Sequence, residues 1–430
     1  MPLSILLIGA GPSSLLLTLL LTRALPTISL TLIERAPSLR ASDLQLDFKA
    51  QGTPLITRLG LMDAMRMHRV HETGAIVVGA RGETLASYGI KTDAGTEGLG
   101  GLTNEVEIMR GDMVRVLYEA GLAKRKELEE RGVQEGGLEY RFGTTVKGVV
   151  QDPSGDGVRV TFSDGREERF DLVVGGDGQN SRTRGMAFGE EASAASVKEL
   201  GYQVAYFSIP RGEGDGGVAR MYLAAKSRAV VARNGDRPRT QVYMFTSGNM
   251  ERIKESYKKS AAEQKAVWRE TFTGAGWETE RFLKGMQEAE DFYSHQLVQI
   301  KLPALYKGRV ALIGDAGYCP SVMTGKGTTA AFIGAYVLAG ELARRPSDVD
   351  GALEAYNEAM KEPVRLSQII DSAMGLPSSS LAVWFIRNSI WAASTLKIDK
   401  LYMKLMPEKK EKTGLEAWPL PEYPELDLAE

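Results

Sequence analysis

The chain has 430 residues, 43% hydrophobic and 25% charged, with 53 Lys and Arg against 55 Asp and Glu for a net charge of −2. That length fills two or three structural domains around an ordinary globular core, and the balanced charge gives no field for drawing in a nucleic acid or an anionic surface. Cys319 is the only cysteine, which excludes an intrachain disulfide or a cysteine metal cluster and fits a reducing, cytoplasmic compartment.

Ser4 to Ile8 reads as a buried strand, Pro12 to Ala24 as a helix and Ile28 to Ile33 as a second buried strand, a βαβ unit of the length used for dinucleotides. Leu15 to Leu21 resembles a signal-peptide core, but no Lys or Arg precedes it and Arg23, Glu34 and Arg35 follow, so it belongs to the buried unit. Pro54 to Met67 looks helical, Ala75 to Ile90 like a hairpin, and Gly95 to Thr103 like a glycine-rich loop. Helical periodicity returns from Asp112 to about Glu130. Between Tyr140 and Phe170 short strands and turns make a meander, and Asp171 to Gly176 is again a buried strand. Longer alternating strands run from Gly201 to Thr246, including Val218 to Ala224 and Thr240 to Phe245, and a polar helical region follows from roughly Met250 to Phe272. The shift near residue 190 marks a second, antiparallel sheet domain, and the chain returns to the first near Gly308. Leu381 to Ala393 is apolar but interrupted by Arg387 and Asn388. Spanning a bilayer takes about 20 apolar residues, so this stretch reads as a packed or interface-facing helix without a membrane contact. The tail from Pro407 is extended over the surface or disordered.

Three segments carry the chemistry. Gly9-Ala10-Gly11-Pro12-Ser13-Ser14 turns tightly from strand to helix and aims a helix N-terminus at a pyrophosphate, while Glu34, 20 residues after Ser14, is placed to accept ribose hydroxyls. The second runs from Val173 through Gly176-Asp177-Gly178 to Ser181 and Arg184. In the third, the strand Val310 to Ile313 delivers Gly314-Asp315, and Gly325-Lys326-Gly327 then opens a helix. His68, His71 and His295 are the only histidines, and none has a catalytic-triad or metal-ligand spacing. A hydrolase or metalloenzyme therefore finds no support. Met221, Tyr222, Tyr243 and Phe245 on the predicted sheet are candidates to line a cavity, and Arg220, Arg228 and Arg233 to orient an acidic or phenolic substrate, against a plain core or surface role for each.

In this order the three segments resemble the class A, single-component FAD-dependent monooxygenases, over about residues 3 to 375. Glu107 to Met113 looks like that family's helix-opening segment with Arg110 against the flavin, and Leu46-Asp47-Phe48 is similar to a segment near the isoalloxazine in its tetracycline-inactivating members. The resemblance implies a Rossmann-like, interleaved FAD-binding domain of residues 1–70, 100–190 and 300–345. It further implies a substrate-binding antiparallel sheet domain of 71–99 and 191–299, a helical region of 346–406 and an extended tail of 407–430. It implies FAD held by Gly9, Gly11, Pro12, Ser13, Ser14, Glu34, Arg35, Arg110, Asp177, Gly178, Gly314, Asp315, Gly325, Lys326 and Gly327. Asp315 would bind a ribitol hydroxyl, Asp177 and Gly178 would lie near the pyrophosphate and the docking NADPH or NADH, and Arg40 would be the basic residue after Glu34-Arg35. The substrate would be an aromatic, polyketide-like or alkaloid-like small molecule near Asp47, Arg220, Tyr222, Tyr243, Phe245 and Met323. NAD(P)H would reduce FAD, O2 would add at C4a, and the flavin hydroperoxide would pass on one oxygen; the catalytic residues stay open. The chain is expected to act as a monomer or weak dimer.

The sequence departs from the family pattern at Gly317-Tyr318 in place of Ala-His, at Cys319, Ser321 and Met323, at Lys326 in place of Gln, and at Gly334 in place of Asp. These departures are expected at the substrate-facing edge. They leave open a halogenase or double-bond reductase on the same fold, although no Trp-x-Trp-x-x-Pro segment is present, and a non-catalytic nucleotide-binding escort.

Overall fold

The computed structural model describes residues 2–39, 44–92, 95–97, 107–370, 375–396 and 414–428. Arg40 and most of the 95–103 segment lie outside them. The first sheet has six strands in the order Tyr306–Lys307, Val310–Leu312, Leu172–Gly175, Ser4–Ile8, Ser29–Glu34, Gly137–Phe142. All its pairs are parallel except the first two strands. Parallel strands need covered faces, and the central run Ile5-Leu6-Leu7 has no accessible surface. The helix Pro12–Ala24 starts with Gly11 as N-cap and Pro12 in its first turn, and Leu15, Leu16, Leu17, Leu20 and Leu21 are fully buried. It lies against the helices Arg110–Glu130 and Gly327–Arg344.

Tyr140 belongs to the strand Gly137–Phe142 at the edge of this parallel sheet, not to the expected meander. The meander is Val146–Gln151, Val158–Phe162 and Glu167–Phe170. Its first strand and the edge strand are neighbours in sequence, and period-2 alternation alone does not tell which sheet each joins.

A second, seven-stranded sheet runs Tyr293–Ile300, Val197–Pro210, Arg239–Thr246, Arg228–Arg233, Ala219–Ala224, Ala75–Val78, Thr84–Tyr88. The helices Met250–Ser256, Ala261–Phe272 and Thr279–Glu288 cover one of its faces, with Trp268, Phe272 and Phe282 fully buried beneath them. Two regions that read as helical each hold two helices. Pro54 to Met67 is two helices, Gly52–Arg58 and Met62–Met67, broken around Gly60 at φ 71°. Met250 to Phe272 restarts at Ser260, whose hydroxyl accepts the Glu263 N–H while the Glu263 carboxylate accepts the Ser260 N–H, a reciprocal cap that begins a new helix.

Two further helices, Val349–Ser367 and Ser380–Thr395, follow. Residues 414–428 are anchored rather than loose: Leu415, Tyr423 and Leu426 are buried, and the Tyr423 ring fills the space where a Gly340 side chain would stand. No helix among the described residues is long and apolar enough to cross a membrane.

Candidate active site

The three sequence segments meet at one point, and glycines are what let them. Gly9 sits at φ 97°, and a Cβ there would come within 2.8 Å of the Gly176 carbonyl oxygen. A Cβ on Gly176 would in turn strike the Ser14 hydroxyl, and one on Gly314, at φ 58°, would lie 2.8 Å from the Ser13 hydroxyl. The first turn, the Asp-Gly turn and the Gly-Asp turn are thus in van der Waals contact. Ser14, at the expected third glycine, is tolerated because Gly176 faces it. The backbone N–H groups of Gly11, Ser13 and Ser14 have no partner within the described residues, and the Ser14 hydroxyl is buried without one. The Glu34 carboxylate accepts the Ala10 N–H at 3.1 Å and the Ala36 N–H at 2.9 Å, which fixes it beside this loop with Arg35 exposed next to it.

Asp177 lies beside the first turn, its Cα 3.1 Å from where a Gly9 Cβ would stand, and its carboxylate is occupied by its own segment. Its two oxygens accept from the Ser181 hydroxyl, the Arg182 and Thr183 N–H groups and the Thr183 hydroxyl, so the carboxylate caps the helix Arg182–Phe188. Nothing stands within 4 Å of a Cβ built on Gly178, at φ 86°, which leaves that side of the turn open. Arg184 is buried and donates to the Ala316 and Gln179 carbonyls and to Ser193, tying this turn to the Gly-Asp segment.

Asp315 keeps an open face although protein closes around it on its other sides. That enclosure pushes its carboxyl up, opposed by a hydrogen bond with Cys319 and by the Arg110 charge, so Arg110 and Asp315 share one end of the site. In the loop that follows, the Gly325 N–H is spent on the Val322 carbonyl and the Lys326 N–H on the Thr324 hydroxyl. The open donors are therefore those of Gly327 and Thr328, at the start of the helix Gly327–Arg344. The Lys326 ammonium turns away to the carbonyls of Leu366 and Ile369 at the end of Val349–Ser367. Met323 stands 37% exposed on the rim.

Opposite these loops lies a small ribbon, Gln45–Asp47 paired with Glu107–Met109, which leads straight into Arg110. It rests on the helix-free face of the seven-stranded sheet. The Tyr243 hydroxyl accepts the Gln45 N–H and donates to Gln241, and Gln241 meets the Met109 sulfur at 3.4 Å. Strand pairing puts Met221 opposite Val231, Val231 opposite Tyr243 and Ala229 opposite Phe245, all on this face. Arg233 shares it, held by Glu72 and by Glu107 of the ribbon. Burial raises the Glu72 carboxyl and Arg233 lowers it, with the rise winning. Arg233 was one of three arginines the sequence offered, but its two carboxylates, 126 and 161 positions away, left no local signal.

The same pairing removes two expected substrate residues. Arg220 and Tyr222 alternate to the helix-covered face, where Tyr222 is 2% exposed and donates to the Ala275 carbonyl, and Arg220 lies 3.8 Å from Asp215. Arg228 is on that face too, bonded to the carbonyls of Thr271 and Thr273 at the end of a helix. Asp47 lies on the ribbon, 4.0 Å from the Lys49 ammonium.

Residues 3–365 match the family described as the FAD binding domain. The chain is 38% identical to the FAD-dependent monooxygenase asL6 of Sarocladium schorii, over 100% of both chains. It belongs to the FAD-dependent monooxygenases. The monooxygenase CTB7 of Cercospora beticola is 32% identical over 89% of this chain and 90% of its own. Among solved structures, the tetracycline destructase Tet(51) aligns with a TM-score of 0.71 at 26% identity, covering 95% of this chain and all of the other.

The residues present fit FAD: two helix N-termini with open N–H groups, a buried unpaired hydroxyl beside one of them, and glycines where a Cβ would close the cradle. Two departures from the monooxygenase pattern prove to be one exchange of packing. Tyr318 is fully buried, burial pushes its phenol up to about 12, and its hydroxyl occupies the space in which a Gly334 side chain would stand. The larger residue at 318 thus requires glycine at 334. Both lie in the core rather than at a substrate-facing edge, and Cys319 and Ser321 are buried beside them.

Proposed function

We propose that this monooxygenase oxygenates a flat aromatic or polycyclic small molecule bearing an acidic phenol or enol, with NADPH or NADH as reductant. Arg233 carries the reading. Glu72 and Glu107 take its Nε and one terminal nitrogen, and its other terminal nitrogen, Nη1, has no partner among the described residues on a face that also carries Met221, Val231, Gln241, Tyr243 and Phe245. An apolar, aromatic wall with one fixed guanidinium edge suits a ring system carrying an anionic or strongly accepting oxygen. The likeness to a tetracycline destructase supports a polycyclic substrate of that kind.

FAD, when bound, supplies the electron relay and the oxygen chemistry. Gly11, Ser13 and Ser14 would hold its pyrophosphate, Glu34 and Arg35 its adenosine end, Asp315 its ribitol chain, and Gly327 and Thr328 its pyrimidine edge. Arg110 adds positive charge at that edge, where it favours an anionic reduced cofactor. The ribbon shields the site from water and joins the cofactor side to the substrate wall. No protein base is needed. Burial pushes the Tyr243 phenol up to about 12, the carboxylates of Glu72 and Glu107 are spent on Arg233, and an acidic phenol or enol ionises without help. The buried lone Cys319 supports a reducing, cytoplasmic setting, and a monomer or weak dimer suffices for this chemistry.

The protein saturated with FAD is expected to be yellow and to oxidise NAD(P)H several-fold faster when an accepted phenolic or enolic polycycle is added. The product should be heavier by one oxygen in mass spectrometry. A colourless protein at saturating FAD, or a rate indifferent to a broad panel of such compounds, overturns the reading.

A further inference from the structure

Among the described residues, the helix Ser380–Thr395 is packed on one side only. Val383 is its buried residue, and Arg387 donates to the Leu223 carbonyl and lies over the Tyr222 ring at 4.5 Å. The residues before it are bonded to the sheet by Lys226 N–H to the Ser378 carbonyl and Ser227 N–H to the Pro377 carbonyl. The helix is thereby fixed against the strands Thr84–Tyr88 and Ala219–Ala224. Its other side presents Leu381 at 75% exposure, Trp384 at 62%, Phe385 at 66% and Trp391 at 51%. At helical spacing these four fall on one face with Asn388 and Ala392 and without a charged residue. A contiguous apolar patch of this kind on a folded surface marks an interaction site.

We propose that this face docks in the plane of a lipid bilayer carrying anionic headgroups. Its two tryptophans are the residue type that favours the water–lipid interface, with a broad apolar ring and one N–H donor. Its 16 described residues are too few to cross a bilayer, so it lies in the interface with its exposed face down. The sequence directly after it, from Lys397 to Lys412, carries six lysines against Asp399, Glu408 and Glu411. That excess of positive charge attracts anionic headgroups and repels a second copy of the same chain. The sequence-based expectation of a packed helix holds for one face alone. Because the helix sits on the Tyr222 side of the sheet, docking leaves the Tyr243 side free, and a poorly water-soluble substrate would concentrate in the same membrane.

Flotation of the full-length, FAD-loaded protein with phosphatidylcholine vesicles, with and without phosphatidylserine, tests this. The protein should float with the anionic vesicles, less so in high salt, and its tryptophan emission should move to the blue. The variant Trp384→Ser/Phe385→Ser/Trp391→Ser should lose at least tenfold in vesicle binding while keeping its thermal midpoint and its NAD(P)H oxidation rate in solution. Leu381→Ser, alone at the most exposed position, should weaken binding in the same direction without touching the packed face. Wild-type protein that stays in the aqueous fraction overturns the proposal, as does a triple variant that floats equally well. A dimer that comes apart in the triple variant, read by light scattering, also overturns it by showing that a second copy covers the face.

Discussion

The nucleotide turns and the substrate wall are built by different means. At the turns, main chain meets main chain: Gly9 touches the Gly176 carbonyl, Gly176 faces Ser14 and Gly314 faces Ser13, so each contact depends on the absence of a side chain. At the wall, Arg233 is positioned by two carboxylates from distant segments, and the contact depends on the side chains themselves. A site made of backbone is written in a short motif, whereas a wall is written in strand alternation and in which face the helices choose to cover.

Five substitutions test that contrast. The largest effect is expected at the wall. Arg233→Ala leaves Glu72 and Glu107 buried without their cation, and losing one partner of a buried pair costs about 3–5 kcal/mol. Glu72 already has a raised folded-state pKa, and removing Arg233 raises it further. The folded variant then holds protons that the unfolded chain releases, so its stability falls as pH rises above the ordinary carboxylate range. Denaturant melts should show a larger deficit at high pH than in mild acid, while FAD affinity changes little; a pH-independent deficit would break the contrast.

Gly9→Ala comes next. Strain at positive φ and a Cβ against the Gly176 carbonyl together cost about 2–4 kcal/mol, and here the FAD should be lost with the stability, as read by flavin absorbance after gel filtration. Gly334→Ala should cost about 1–3 kcal/mol by overpacking, and Tyr318→Phe should return part of it in a double-mutant cycle. Additive effects would mean that the two departures are unrelated. Asp315→Asn is expected to be the mildest for stability. Enclosure raises the Asp315 carboxyl, so the wild-type apoprotein loses stability as pH rises through that pKa, and the variant should be the more stable by about 1 kcal/mol or less at high pH, with no gain in acid. Its FAD affinity should nonetheless fall, measured by fluorescence quenching on titration.

Sequence patterns carried the first βαβ unit almost to the residue, because a fully buried strand and a Gly-rich turn leave local marks. They also singled out Glu34, Asp315 and Arg110, which lie at the turns the structure brings together. They missed that Asp177 is consumed in capping its own helix and that the N–H groups of Gly325 and Lys326 are already engaged, since hydrogen-bond partners inside a turn depend on its exact torsions. Tyr222 and Tyr243 looked equivalent in an alternating strand, yet one donates to Ala275 beneath the helices and the other to Gln241 beside the ribbon. Which face is covered is decided by the helices that follow both strands, from Met250 to Glu288, which no window over either strand contains.

The six-stranded sheet interleaves Ser4–Ile8 with Leu172–Gly175 and, beyond it, Val310–Leu312, and the helix Pro12–Ala24 is finally covered by residues around Asp427, where Arg23 donates to the Asp427 carbonyl. A ribosome that has delivered the first nucleotide turn has therefore made a unit with no neighbours on either side. Its strand edges stay open until Gly137–Phe142 and Leu172–Gly175 have emerged, and its leucine-rich helix, met first by Arg110–Glu130, is not fully covered until Gly327–Arg344 and the residues around Asp427 follow, more than 300 residues on. Early in synthesis such a unit is expected to depend on holding chaperones, and slowing translation near the 3′ end should prolong that dependence rather than relieve it.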